Sequence, residues 1–177
     1  MRIAISGTHR VGKTSLAEAL VSALPGYELV PEPYYALEEE GHEFGEMPSV
    51  DDFVLQLQRS LASVAQSEPN TIFDRCPLDI VAYIQTHQDA HAFDDDAWSS
   101  RVREAMAMLS LVVVVPIEQP DRIEVPRDER RLRAAVDERL ADLVLDDRFA
   151  EDLEVLQVAG SLQSRLLQVL AVATAAR

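Results

Sequence analysis

Lys13 stands in Gly7-Thr8-His9-Arg10-Val11-Gly12-Lys13-Thr14, a match to G-x-x-x-x-G-K-S/T, and it is the only lysine in a chain whose fifteen other basic residues are arginine. That spacing has a defined chemistry. Backbone N–H groups of a glycine-rich turn face phosphate oxygens, the ammonium reaches the β- and γ-phosphates, and the threonine hydroxyl can ligate Mg²⁺. A compact ammonium on a flexible stem suits this task better than a planar guanidinium, which is a reason for one lysine to persist among arginines. Gly7, Thr8, His9, Arg10, Val11, Gly12, Lys13, Thr14 and Ser15 are therefore the expected contacts to ATP, with Mg²⁺ as the accompanying ion. The bland alternative is a glycine-rich strand-to-helix turn without a ligand.

The flanking segments have the form such a loop requires. Met1 to Ser6 is a short apolar run suited to a buried parallel strand. Leu16, Ala17, Leu20, Val21 and Leu24 then recur at helical spacing until Pro25-Gly26 stops them. A helix that begins at the loop points its free N–H groups and its dipole at the phosphates.

Two acids fall where strands should end. Tyr27 to Val30 reads as a second strand, followed by Glu32 between Pro31 and Pro33, and Thr71-Ile72-Phe73 leads into Asp74-Arg75. Ligands of open α/β sheets sit beyond the carboxyl ends of the strands. Glu32 is placed to take a proton from an acceptor hydroxyl, and Asp74 to hold Mg²⁺ with Thr14. The competing readings are an exposed turn acid for Glu32 and a cap ahead of Pro77 for Asp74.

Further along, Asp51-Asp52 heads a helical pattern to Gln66. Pro77 opens another carrying Ile80, Val81 and Ile84, and Asp94-Asp95-Asp96 caps one running towards Leu109. Leu111 to Val115 is a buried-strand run, a long arginine-bearing helix follows, and a strand near Leu153 to Val158 precedes a helix from Leu162 to about Ala173. This alternation predicts a three-layer α/β/α domain with a mostly parallel five-stranded sheet over residues 1–177.

Val30-Pro31-Glu32-Pro33 resembles the Glu-Pro element of the deoxynucleoside kinases, and Asp74-Arg75 their Glu/Asp-Arg pair. Asp74-Arg75-Cys76-Pro77-Leu78-Asp79 with Tyr83 also resembles the P-loop group that includes bacterial ribosylnicotinamide kinase domains. The resemblance implies a P-loop NTPase fold of nucleoside/nucleotide kinase type. It implies Glu32 as general base, Asp74 as a Mg²⁺ residue and Arg75 as a phosphate contact. Phe53-Val54-Leu55-Gln56 supplies an aromatic and a glutamine, as in the nucleobase-reading element of the deoxynucleoside kinases, at a spacing that departs from theirs.

Seven arginines lie between Arg122 and Arg148, with Leu132, Val136, Leu140 and Leu143 as the apolar stripe of one helix. Glu129, Arg133 and Asp137 stand four apart, as in a surface ion-pair ladder. Arg127 and Arg130 lack such partners. Their place between the fourth and fifth strands is where related kinases carry a helical lid, here about 117–150, whose arginines would neutralise charge on the transferring phosphoryl group. A solvated helical face is the alternative.

Between Glu32 and Phe73 the only basic residue is Arg59, whereas Glu38-Glu39-Glu40 and Glu43 are acidic. A phosphorylated acceptor needs several cations, so this region favours a neutral or cationic one such as a nucleoside. Tyr34, Tyr35 and Phe53 could stack on a ring or pack the core. His87 and His91 beside Asp89 and Asp94 have weak metal spacing, and Cys76 beside Arg75 reads more readily as a small apolar residue than as a reactive thiol.

A formal net charge of −15 opposes non-specific attraction to nucleic acid or anionic membranes. One cysteine excludes an internal disulfide. A GTPase is disfavoured because no second lysine exists to read guanine through Asn-Lys-x-Asp, and a full AAA+ module is disfavoured by length. The expectation is a cytoplasmic ATP-dependent small-molecule kinase, with room for a homodimer. Its partners are ATP and a small-molecule acceptor, with neither nucleic acid nor membrane among them. The rival is a P-loop ATPase or nucleotide-dependent switch acting on a protein partner.

Overall fold

β1 (Arg2–Ser6) turns Ile3 and Ile5 to one face of the sheet and Ala4 to the other, and all three are fully buried. A strand covered on both faces must lie between two layers of helices. In this computed structural model, which describes residues 1–45, 47–121, 125–145, 149 and 153–175, that is the arrangement. β2 (Glu28–Val30), β3 (Thr71–Asp74), β4 (Leu111–Val114) and β5 (Val155–Gln157) join β1 in the order β2-β3-β1-β4-β5, every pair parallel. Parallel neighbours need crossovers, which the helices supply.

One face carries α1 (Lys13–Ala23) and α7 (Leu162–Ala175), whose Leu16, Leu20, Val169 and Ala173 pack on Ile3, Ile5, Ile72, Leu111 and Val113. The opposite face carries α3 (Val50–Gln66), α4 (Pro77–Thr86), α5 (Asp95–Ala107) and α6 (Arg127–Val144), which close over Ala4, Phe73 and Val112. Val136, Leu140 and Leu143 form the buried stripe of α6. Among the described residues, no helix is long and apolar enough to cross a membrane.

Two local readings are corrected. The cap of α3 is Ser49, whose hydroxyl accepts from Asp52 N at 3.1 Å while Asp52 Oδ2 accepts from Ser49 N at 2.8 Å. Asp52 is thus the third residue of a capping box, and Asp51-Asp52 lie inside the first turn rather than at its start. A short helix, α2 (Pro33–Glu39), also follows Glu32 directly, because Pro33 fits the first helical position.

Register places the chemistry. Ile5 pairs with Asp74 and Ser6 with Val114, so β3 ends beside the phosphate loop and β4 runs along its other side. Val30 pairs with Phe73, which sets Glu32 beside Arg75, each two residues further on.

Candidate functional site: a phosphate loop beside an acid-arginine cleft

Gly7 leaves β1 at φ 149°, and a Cβ there would stand 2.5 Å from Val115 O. Only glycine fits this approach. Gly12 caps α1 in the left-handed region at φ 89°, and Lys13 then begins the helix with its side chain folded back over the loop. Lys13 Nζ donates to Thr8 O at 2.8 Å and is buried, so the ammonium sits where phosphate oxygens would meet the loop. Burial, with the Arg75 guanidinium second, lowers its pKa to about 8. Bound phosphate would restore proton affinity. ADP binding should therefore be nearly pH-independent below about pH 8 on this account, then weaken by up to about tenfold per unit above it, with proton uptake. Calorimetry in buffers of different ionisation enthalpy measures both.

Asp79, unassigned by the sequence reading, anchors the loop from below. Fully buried at the third position of α4, it accepts through Oδ1 from Ser6 Oγ at 2.6 Å and Gly7 N at 3.1 Å, and through Oδ2 from Cys76 N at 3.0 Å. Burial raises its pKa, while Arg75 and Lys13 oppose that shift. Asp79→Ala would strand three buried donors and should cost about 3 kcal/mol or more, read from the urea midpoint. A signal existed: an acid three residues beyond a capping position, in an otherwise apolar helix start.

Asp74 is buried at the end of β3. It is hydrogen-bonded to the exposed Thr14 hydroxyl, and its pKa is raised by burial against the pull of Thr14 and Lys13. Its Oδ1 is buried without a hydrogen-bond partner among the described residues. A carboxylate oxygen with unused capacity, next to the loop threonine, fits a Mg²⁺ that keeps several waters and shares phosphate oxygens.

Arg75, at φ 108°, donates to Glu32 Oε1 from Nε at 2.7 Å and lies 2.5 Å from it at Nη2. Both bonds fall on one carboxylate oxygen. Arg75 Nη1 is buried and unpartnered among the described residues, and the pair's attraction raises the guanidinium pKa against burial. Glu32, Arg75 and Asp74 are also the charges that, with Asp79, act on Lys13. Four predicted residues thus converge at one end of the sheet.

A cleft of about 110 Å³ opens beside them, lined by Glu32, Tyr34, Phe53, Gln56, Arg75 and Tyr83. Phe53 stacks on Tyr83 with centroids 5.4 Å apart, and Tyr34 stacks on Phe44 at 4.3 Å. Gln56 is buried with its amide nitrogen unpartnered among the described residues. Tyr35 instead stands more than half exposed. Arg59 pairs with Glu40 at 2.6 Å on the surface.

Helix α6 meets the loop through residues other than the expected ones. Arg127 and Arg130 stand exposed at the start of α6, and Arg130 Nε donates to Val125 O at 3.2 Å. Arg133, read as part of a surface ladder, is buried; it donates to His9 O at 3.0 Å and Arg10 O at 3.1 Å and pairs with Asp121. Glu129 takes both Arg10 Nη2 at 3.1 Å and Nε at 2.8 Å, and Asp137 accepts from Ile117 N at 3.3 Å. Four-residue spacing shows only that charges share a helix face, and here that face rests on the loop. From α7, Arg165 donates to Val11 O at 2.7 Å and to Glu118 at 2.8 Å. Arg122 and Arg148 lie outside the described residues.

His87 Nδ1 accepts from Asp89 N at 3.1 Å, and the described residues hold no group of three or more His, Cys, Asp or Glu arranged for a metal. Cys76 is buried against Met106, and burial pushes its thiol pKa well up, as the apolar reading required.

A sequence comparison with curated proteins found no match. Among solved structures, the chain is similar to deoxyadenosine kinase from M. mycoides, bound to dCMP and dCDP, with a TM-score of 0.68 at 16% identity over 100% of both chains. It is similar to thymidylate kinase from Candida albicans, with a TM-score of 0.67 at 14% identity over 99% of this chain and 91% of that one. It also resembles the NadR protein in complex with NR, with a TM-score of 0.65 at 14% identity over 96% of this chain and 50% of that one. These likenesses show a P-loop kinase-like fold. A family model described as AAA domain matches residues 2–165 of the 177. On that match, together with the loop at Gly7–Thr14, the chain belongs to the AAA domain family of P-loop proteins.

Proposed function

We propose that this chain transfers the γ-phosphoryl group of Mg·ATP to a hydroxyl of a small, nucleoside-like acceptor. The observation that supports this reading is that Glu32 lines the aromatic cleft and takes both Arg75 contacts on one carboxylate oxygen, so that the other could serve an acceptor hydroxyl seated in the cleft. A general base must lie within hydrogen-bond reach of the hydroxyl it deprotonates, and an acid at the mouth of this cleft meets that need.

The parts divide as follows. The loop from Gly7 to Ser15 holds the donor phosphates, and Lys13 Nζ exchanges Thr8 O for a phosphate oxygen. Mg²⁺, when bound, spreads the charge of the β- and γ-oxygens. Thr14 and Asp74 are the residues to hold it. Arg75 orients Glu32 and presents Nη1 towards developing charge, while Arg127 and Arg130 close from the lid. In the cleft, Phe53 and Tyr34 offer ring faces and Gln56 Nε2 a donor, which suits a planar ring bearing a hydrogen-bond acceptor. The deoxyadenosine kinase and the NadR protein in complex with NR, which share the fold, support such an acceptor class by analogy.

The test is a screen of ATP consumption over nucleosides, ribosylnicotinamide, nucleoside monophosphates and sugars, with products identified by mass. A phosphorylated neutral nucleoside-like product is expected. Phosphate release with no acceptor, stimulated by a protein partner, would instead favour an ATPase or switch.

A further inference from the structure

Tyr83 belongs to both halves of the site. Its ring forms a wall of the acceptor cleft, stacked on Phe53 and with the Arg75 guanidinium 5.2 Å from its centroid. Its hydroxyl leaves that cleft and reaches the middle of the phosphate loop, 2.9 Å from His9 N and 2.8 Å from His9 Nδ1.

The Tyr83 hydroxyl has two acceptors within reach for its proton, His9 Nδ1 at 2.8 Å and Thr8 Oγ1 at 3.5 Å. His9 N can only donate, so Tyr83 Oη accepts from it. Nδ1 is the nearer of the two acceptors, and a phenolic proton directed to it makes Nδ1 the unprotonated nitrogen of a neutral ring. Burial keeps His9 neutral, lowering its pKa to about 4 despite the nearby Glu129 carboxylate. The remaining ring proton sits on Nε2, which faces Glu129 Oε2 at 3.6 Å. Glu129 in turn holds Arg10 of the same loop from α6. The groups around the imidazole are thus Tyr83 and Thr8 on one side, Glu129 on the other, and Lys13, Arg75 and Arg133 as the surrounding cations.

We infer that Tyr83 is a positioning residue that ties the acceptor cleft to the phosphate loop, fixing His9 as the Nε2–H tautomer and holding the loop at Thr8-His9 in its phosphate-binding shape. The inference rests on the reading of Gly7–Ser15 as a nucleotide site. Helix α4 delivers it: Asp79 anchors the start of the loop and Tyr83, one turn later, its middle, so a single helix face sets the loop's curvature.

Tyr83→Phe keeps the ring, its stacking and its place under Arg75, and removes only the hydroxyl. ADP, titrated calorimetrically, should bind this variant about five- to tenfold more weakly, the equivalent of about one lost hydrogen bond. Long-range ¹H–¹⁵N spectra should show His9 as the Nε2–H tautomer in the wild-type chain and as a tautomer mixture with raised pKa in Tyr83→Phe. His9→Ala should weaken ADP binding to a similar degree, and the double variant should be little worse than either single one, since both remove the same link. Equal ADP affinity in wild type and Tyr83→Phe, an unchanged tautomer, or additive losses in the double variant would overturn the role of Tyr83 alone. Failure of the wild-type chain to bind ADP would overturn the nucleotide reading and this inference with it.

Discussion

Lys13→Ala should lower kcat for phosphoryl transfer by about 10³-fold or more, the scale on which a preorganised charge at a developing anion contributes. The expectation follows from burial. Lys13 is 5% exposed and its Nζ is bonded to Thr8 O, where its charge acts with little screening. The fold should not suffer in proportion. A base whose folded pKa is about 8 against an ordinary value of 10.5 is held as a cation at a cost. That cost is fully present below about pH 8 and fades as pH rises towards the unfolded value, because the unfolded chain binds more protons across that window. Lys13→Met, which keeps the stem, should therefore lose activity while gaining up to about 3 kcal/mol of stability at neutral pH, a gain that shrinks above pH 8. Activity loss with an equal or higher denaturation midpoint would separate this role from a structural one. Transfer at the wild-type rate in Lys13→Ala would remove the mechanism.

Glu32→Gln should reduce kcat by about 10²- to 10⁴-fold, as loss of a positioned general base does. ADP affinity should change little, because the partner of Glu32 is Arg75 and not a group of the loop. Glutamine can still accept one bond from Arg75 but cannot neutralise it, and Arg75 is only 7% exposed. A stability loss of about 2 kcal/mol is therefore expected beside the rate effect, and rates must be compared well below the lowered midpoint. Glu32→Asp restores the charge and should recover part of both. Undiminished turnover in Glu32→Gln would leave Glu32 as the structural partner of Arg75 and no more.

The phosphate loop was legible because its chemistry is local. Gly7, Gly12, Lys13 and Thr14 lie within one turn, where positive φ and close approach demand glycine and the phosphate demands a cation. The ends of β2 and β3 were legible too, since a strand's carboxyl end follows from its apolar run, and register then brought Glu32 beside Arg75. The supports were hidden for the opposite reason. Arg133 and Glu129 look like a helical ladder until the fold turns that face onto His9 and Arg10. Arg165 looks like one more arginine until α7 carries it to Val11, at a sequence separation of 154. Helix α2 was missed because Pro31 and Pro33 suggested a turn, although a proline also starts a helix well. Arg127 and Arg130 stand exposed at the start of α6.

The central claim is that the γ-phosphoryl group leaves ATP for an acceptor hydroxyl seated against Glu32. Single-turnover transfer from γ-³²P-ATP, run with each nucleoside-like acceptor and resolved by product, tests it most directly. Label is expected on one acceptor as a phosphate monoester, lost in Lys13→Ala and slowed at least about 10²-fold in Glu32→Gln. Label appearing only as inorganic phosphate, at a rate indifferent to every acceptor and to Glu32, would contradict it.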